Sequence, residues 1–325
     1  MDNKARRTLG VLVATAALAL AAAATPAAAT PTSTVDMVTP VSDTGETINP
    51  AVLAERIDET MVRATRPAAR RGADGTDRVP AAEVEGKTEP GEIGISSIIG
   101  TDNRYQTTPA DWWPASSTVQ ITRTSGGVTR GHCTGWMIGA DTLITAGHCV
   151  YPRNGTAWYP RNEFTVWPGR DGGSAPYGSC SVASLHSVGG WVNGFTNGYD
   201  YGAMKLNCTV GNSTGTFGFM WTSASQNGTS TYNRGYSGDK SFGTQWASSD
   251  QIRVTQSTEL FYHHDTVGGN SGGPVYTYAV TDCGPCAVAV HAHGFHGSGA
   301  PNNNHNSGPR ITEPVFNNFL YWRDL

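Results

Sequence analysis

Thr118-Val119-Gln120-Ile121-Thr122, Phe164-Thr165-Val166-Trp167 and Ala287-Val288-Ala289-Val290 are short runs of β-branched, aromatic or alternating residues. Clusters of Gly, Pro, Asn and Asp bound each of them, which is the pattern of short strands joined by turns. The 40 glycines fit the same picture, and Glu313 to Leu320 is the one late stretch that reads as a helix. An all-β sandwich or barrel is expected from this spacing. All nine Trp, twelve Tyr and nine Phe lie beyond residue 96, so the folded domain is expected to span residues 97–325.

Upstream the sequence changes character. Lys4, Arg6 and Arg7 precede an apolar run from Leu9 to Ala24 and the small residues Ala27-Ala28-Ala29. This is the layout of a secretory signal peptide over residues 1–29. The run is short of the ~20 apolar residues that span a bilayer, which argues against a membrane anchor. Residues 30–96 are rich in Ala, Pro, Glu and Arg and hold no aromatic residue and no Cys. Such a segment cannot build a core of its own and is expected to be a pro-segment. Within it Leu53, Ile57 and Met61 recur at helical spacing after Pro50, predicting a short amphipathic helix that docks on another surface.

Hydrophobic residues make up 38% of the chain, enough for a sizeable core. Only 15% of residues are charged and the formal net charge is −4, so neither nucleic acid nor an anionic membrane is an expected partner. The six cysteines, Cys133, Cys149, Cys180, Cys208, Cys283 and Cys286, are an even set in an exported chain and are expected to form disulfides, with fifteen pairings possible.

Three motifs carry chemistry: Thr145-Ala146-Gly147-His148-Cys149, Asn197-Gly198-Tyr199-Asp200-Tyr201-Gly202-Ala203 and Gly268-Gly269-Asn270-Ser271-Gly272-Gly273-Pro274. A serine hydroxyl needs a base within reach, and the base needs a carboxylate to fix its tautomer. His148, Asp200 and Ser271 supply these, and their order together with the motifs resembles the trypsin/chymotrypsin superfamily. That resemblance implies two packed antiparallel β-barrels with the site between them. It also implies an oxyanion hole from the N–H groups of Gly269 and Ser271, where losing one donor typically costs about 3 to 4 kcal/mol.

A narrower resemblance covers nearly all of residues 97–325. Ser97-Ile98-Ile99-Gly100, Cys133-Thr134-Gly135-Trp136-Met137-Ile138-Gly139, Pro176-Tyr177-Gly178-Ser179, Gly235-Tyr236-Ser237-Gly238-Asp239-Lys240 and Ala289-Val290-His291 look like the glutamyl endopeptidases of bacterial secretions. By that likeness the enzyme is secreted and cuts polypeptides after Glu and less readily after Asp; a monomer without metal or other cofactor is the expectation set beside it. His291 and Thr266 then bind the substrate's P1 carboxylate, and His291 can carry a compensating positive charge. Ala292, His293 and Gly294 offer an edge for the substrate backbone. An α-amino group freed near Ser97 helps to hold the carboxylate.

The likeness further implies a Cys133–Cys149 bridge around His148 and a hairpin-tip Cys283–Cys286 bridge, which leaves Cys180 with Cys208. Cys283-Gly284-Pro285-Cys286 also spells a redox or zinc motif, with His291, His293, His296 and His305 as further ligands. The strand pattern after Cys286 speaks against the redox reading. Asp265 stands six residues before Ser271, the offset of the acid that binds Arg or Lys in trypsin-like enzymes, so a basic-specific protease is the alternative. A non-catalytic binding module on a protease scaffold is a second. Residues 97–325 hold only three glutamates, Glu163, Glu259 and Glu313, against seven in the preceding 96 residues. Such a distribution would spare a Glu-specific enzyme from itself.

Overall fold

The computed structural model describes residues 37–67 and 97–325, together with the backbone of 84–88. The expected signal peptide lies outside the described residues, as do 30–36, 68–83 and 89–96 of the expected pro-segment.

Six strands form the first half: β1 Thr118–Ser125, β2 Val128–Met137, β3 Thr142–Thr145, β4 Phe164–Pro168, β5 Cys180–Val188 and β6 Gly202–Leu206. They pair antiparallel around a closed ring, β1-β2-β3-β6-β5-β4, and β4 returns to β1. Alternation along β4 turns Phe164 and Val166 inward, where they meet Val119, Ile121, Leu143, Leu185 and Met204.

The second half comprises β7 Gly218–Met220, β8 Ser230–Gly235, β9 Trp246–Gln251, β10 Val254–Thr255, β11 Glu259–Tyr262, β12 Pro274–Thr277, β13 Cys286–Val290 and β14 Asn306–Pro309. Strands β7, β13, β12, β8 and β9 belong to a seven-stranded sheet, and β10, β11 and β14 form a three-stranded one. Single bridges, Ala289 to Arg310 and His293 to Ser307, continue the pairing between β13 and β14. β7 joins β13 in parallel, a departure from the antiparallel rule.

The predicted C-terminal helix runs a turn longer than expected, Glu313–Arg323. Its buried Phe316 and Phe319 pack against Phe219 and Trp136, so the helix closes the core shared by both halves.

Residues 37–67 form a strap across this core. Pro40–Ser42 adds a strand to the edge of β5, and Met61–Val62 pairs with β7. Between them lies a helix, Pro50–Arg56, capped by Asn49 Oδ1, which accepts from Ala51 N at 2.9 Å. Its buried Leu53 faces the C-terminal helix at Pro314 and Asn317. The helix is shorter than its periodicity predicted. It ends at Arg56, because Ile57 turns extended and Met61 is drawn into the sheet, where pairing outweighs another helical turn.

Candidate active site

The register of two strand pairs assembles the site. Gly202 at the start of β6 pairs with Thr145 at the end of β3. Asp200, two residues before Gly202, and His148, three after Thr145, therefore leave the barrel at the same end. His148 Nδ1 lies 2.8 Å from Asp200 Oδ2, and His148 N donates to Asp200 Oδ1 at 2.7 Å. Asp200 is fully buried. Burial alone would raise its pKa, but the His148 ring and backbone N–H hold the carboxyl below its ordinary value.

In the second half Pro274 at the start of β12 pairs with Val290 at the end of β13, which sets Ser271 beside His291. Gly272 N donates to His291 O at 2.7 Å, and His291 N to Gly273 O at 2.9 Å. Gly272 has φ +86°, and a Cβ there would stand 2.1 Å from Thr134 O, so no other residue lets the Ser271 turn come this close to β2. Gly268 O accepts from Gly238 N at 2.8 Å, and Asn270 O from Gly273 N at 2.9 Å. In a trans peptide N–H points opposite to C=O, so the N–H groups of Gly269 and Ser271 are turned away from these contacts.

Thr134 joins the two halves and was not singled out by the sequence. Its N–H donates to Ser271 O at 2.8 Å and its Oγ1 to Gly269 O at 2.7 Å. Its hydroxyl accepts from Tyr236 N at 3.0 Å, and its carbonyl accepts from Thr145 Oγ1 at 2.8 Å. The adjacent Cys133 is bridged to Cys149, so the histidine turn, β2 and the serine turn are tied together. The sequence signal was its place beside Cys133 in the Cys133-Thr134-Gly135-Trp136 motif.

The expected specificity residues also converge. Tyr262 and Asn306 are partners in the β11–β14 ladder. Tyr262 Oη lies 2.9 Å from His291 Nδ1, while Asn306 Nδ2 reaches Thr266 Oγ1 at 3.1 Å, Ser97 O at 2.8 Å and His264 O at 2.7 Å. Ser97 N donates to Thr266 O at 3.2 Å, which places residue 97 against the same wall. The surroundings of His291 set its charge in the absence of a bound carboxylate. Burial, with His293, His264 and His148 nearby, pulls its pKa down to about 3, so the imidazole is neutral above that pH.

Asp265 does not face this pocket. Its two carboxylate oxygens accept from Ile99 N at 2.7 Å and Asn103 N at 2.9 Å, and the residue is 1% exposed. Ala292 to Gly294 form no regular strand. His293 makes a bridge, its N donating to Ser307 O at 3.0 Å and its O accepting from Ser307 N at 2.9 Å, and Ala292 N also donates to Ser307 O at 3.2 Å. Across their trans peptides the Ala292 carbonyl and Gly294 N–H point away from Ser307.

All six cysteines are paired, Cys133–Cys149, Cys180–Cys208 and Cys283–Cys286. The Cys283–Cys286 sulfurs are therefore not thiolates for zinc, and two of the histidines offered as co-ligands have other neighbours. His305 packs on His263 at 4.4 Å between ring centroids, and His296 Nε2 lies 3.9 Å from Glu259 Oε1. Among the described residues the one group with metal-ligand spacing is Cys133, His148 and Cys149, whose sulfurs are bonded to each other. Also among the described residues, no helix is long and apolar enough to cross a membrane.

No family profile matches the chain. It is 41% identical over 233 residues to a glutamyl endopeptidase of Bacillus licheniformis, covering 71% of this chain and 70% of that protein. It is 37% identical over 255 residues to a protein of Bacillus subtilis named extracellular metalloprotease, covering 77% and 78%. A solved Glu endopeptidase in complex with MPD superposes with a TM-score of 0.61 at 26% identity, over 70% of this chain and all of that one. The protease Anisep of Arthrobacter nicotinovorans shares the fold, with a TM-score of 0.55 at 22% identity over 68% of this chain and all of that one. Strand architecture, the His148–Asp200 pair beside the Ser271 turn and these likenesses lead to one conclusion: the chain belongs to the glutamyl endopeptidase family of chymotrypsin-like serine proteases.

Proposed function

We propose that the chain is the precursor of a secreted endopeptidase that hydrolyses peptide bonds on the carboxyl side of Glu and, less readily, Asp. Ser271 Oγ attacks the scissile carbonyl while His148 takes its proton, and Asp200 stabilises the imidazolium that forms. The N–H groups of Gly269 and Ser271 receive the oxyanion. His148 then protonates the leaving amine, and water hydrolyses the acyl-enzyme by the same steps in reverse.

The observation that carries the specificity is the pairing of His291 with Tyr262 beside Thr266, while Asp265 is committed to the backbone of residues 99 and 103. If Tyr262 donates to Nδ1, the ring proton sits on Nε2 and serves as a neutral donor to a P1 carboxylate. Thr266 Oγ1 accepts from Asn306 and keeps its own hydrogen to give. The few glutamates of residues 97–325 add support. Glu163 is ion-paired with Arg123 at 2.8 Å, and Glu313 precedes Pro314, whose missing N–H and rigid ring make a poor leaving side.

Maturation by removal of residues up to 96 fits the same site. A cut directly before Ser97 would leave an ammonium where Ser97 N now meets Thr266 O. The test is a P1 profile of the mature enzyme on chromogenic peptides ending in Glu, Asp, Arg or Lys, with and without His291→Ala. Preference for Glu that collapses in the variant is expected, and preference for Arg or Lys would overturn the reading.

A further inference from the structure

His293 was expected to lend its backbone to substrate or, on the zinc reading, to serve as a ligand, yet its side chain lies against the Asp200 carboxylate. The residue is 7% exposed, and its Nε2 is 3.5 Å from Asp200 Oδ2 and 3.4 Å from Asn197 O. A carboxylate and a peptide carbonyl can only accept, so the nitrogen between them carries a hydrogen. Asn197 opens the short 3₁₀ turn that ends at Asp200, and its carbonyl also accepts from Asp200 N at 3.1 Å. The same ring nitrogen thus faces both the carboxylate and the turn that carries it.

The charged and titratable groups around His293 are Asp200, His148, Arg153, His296, His291 and Glu259. Arg153 Nη2 stands 4.0 Å from Asp200 Oδ2 and donates to Asn197 Oδ1 at 3.0 Å. The His296 ring is 5.2 Å from that of His293, and Glu259 Oε1 lies beyond it. Burial, only partly opposed by Asp200, lowers the His293 pKa to about 3, so the ring is neutral under conditions of catalysis.

We propose that His293 is a positioning residue for peptide hydrolysis, donating Nε2–H to Asp200 Oδ2 and Asn197 O so that the carboxylate stays ionised and aimed at His148. This rests on the assignment of Asp200 as the carboxylate that serves His148. A donor on Asp200 draws charge from it. Without that donor the carboxylate is more basic, holds the His148 imidazolium more firmly, and moves the acid limb of kcat/KM to higher pH.

His293→Leu removes the donor at similar volume, and His293→Gln restores an N–H near the Nε2 position. Both are assayed on a Glu p-nitroanilide peptide from pH 4 to 9, with active enzyme counted by fluorophosphonate titration. In His293→Leu, kcat falls about tenfold with KM within about twofold, a loss equal to one modest hydrogen bond. Its acid limb rises by about half a unit, and His293→Gln returns both towards wild type. Wild-type kcat and acid limb in His293→Leu, or no recovery in His293→Gln, overturn the proposal. Asp200→Asn and Ser271→Ala run alongside: wild-type rates in those variants would sink the catalytic assignment itself. Should His293→Leu fail to fold, ¹⁵N-histidine spectra of the wild type, with the His293 signal identified by its loss in His293→Gln, decide. A proton on Nε2 supports the proposal and one on Nδ1 refutes it.

Discussion

Replacing Tyr262 by Phe removes a single oxygen from a fully buried ring and tests how His291 is held. Tyr262 Oη lies 2.9 Å from His291 Nδ1, and burial raises the phenol's pKa well above its usual value, so it stays neutral throughout the assay range and, on the proposed reading, donates to Nδ1. Its loss leaves Nδ1 without that partner, at a cost of about 1 to 3 kcal/mol. It also frees the tautomer, so the Nε2–H intended for a P1 carboxylate is no longer enforced. On the proposed reading, kcat/KM for a Glu substrate drops about 10- to 100-fold, since each 1.4 kcal/mol is a factor of ten. The drop for the matching Gln substrate is smaller, because the carboxylate depends most on a well-placed donor. Steady-state kinetics on paired Glu and Gln p-nitroanilides give the ratio directly, and thermal unfolding of the same sample reports stability. A lower Tm with an unchanged Glu/Gln ratio would mean that His291 is a packed core residue, and the reasoning about the pocket would be wrong.

Three further outcomes are expected. Thr134→Val should keep the fold but lose the hydroxyl contacts to Gly269 O and Tyr236 N, lowering kcat about 10- to 100-fold with Thr134→Ser close to wild type; equal kcat in both variants would remove Thr134 from the account. Fluorophosphonate should abolish peptide cleavage while a zinc chelator leaves it intact, and the reverse pattern would favour the chemistry named for the Bacillus subtilis relative. Stability should fall as pH drops below about 6.5, the ordinary His pKa. Buried His186, His264, His291 and His293 have pKa values lowered to about 4, 4, 3 and 3, so between those values and 6.5 the unfolded chain binds protons that the native chain refuses. Each such proton removes about 1.4 kcal/mol per pH unit. Asp200, whose pKa is depressed, adds a further loss only below about 4. Denaturant midpoints that stay level from pH 7 to 4.5 would contradict this.

The β character and the C-terminal helix were legible because each depends on local pattern, and the His148, Asp200 and Ser271 motifs because each is compact, although the meeting of His148 with Asp200 is set by the pairing of Gly202 with Thr145. Thr145-Ala146-Gly147-His148-Cys149 carries its own turn, and the disulfide partners lie at most 28 residues apart. What stayed hidden depends on strand register. Tyr262 and Asn306 are ordinary residues until the β11–β14 ladder sets them opposite each other and next to His291 and Thr266. Thr134 contacts Ser271, 137 positions away, through backbone groups that sequence does not display. The burial of His291, which lowers its pKa before a carboxylate binds, comes from the packing of distant strands and was not visible in the sequence.

Asp265 shows how a position can mislead. At six residues before Ser271 it stands where an acid would read Arg or Lys, and an ionised carboxylate inside the pocket would repel a P1 glutamate. Two unit charges about 4 Å apart at an effective dielectric near 20 interact by about 4 kcal/mol, or roughly three decades in binding. Here Ile99 N and Asn103 N take both of its oxygens, so its charge is spent on the segment that follows residue 97. Ser97 meets Thr266 through the bridge that neighbours Asp265, and Asn306 bonds both. The same few contacts thus turn an acid out of the pocket and fix the segment at which the proposed mature chain begins. An error in placing that segment would release Asp265 as well as lose the ammonium, so on this reading specificity for Glu and correct maturation fail together.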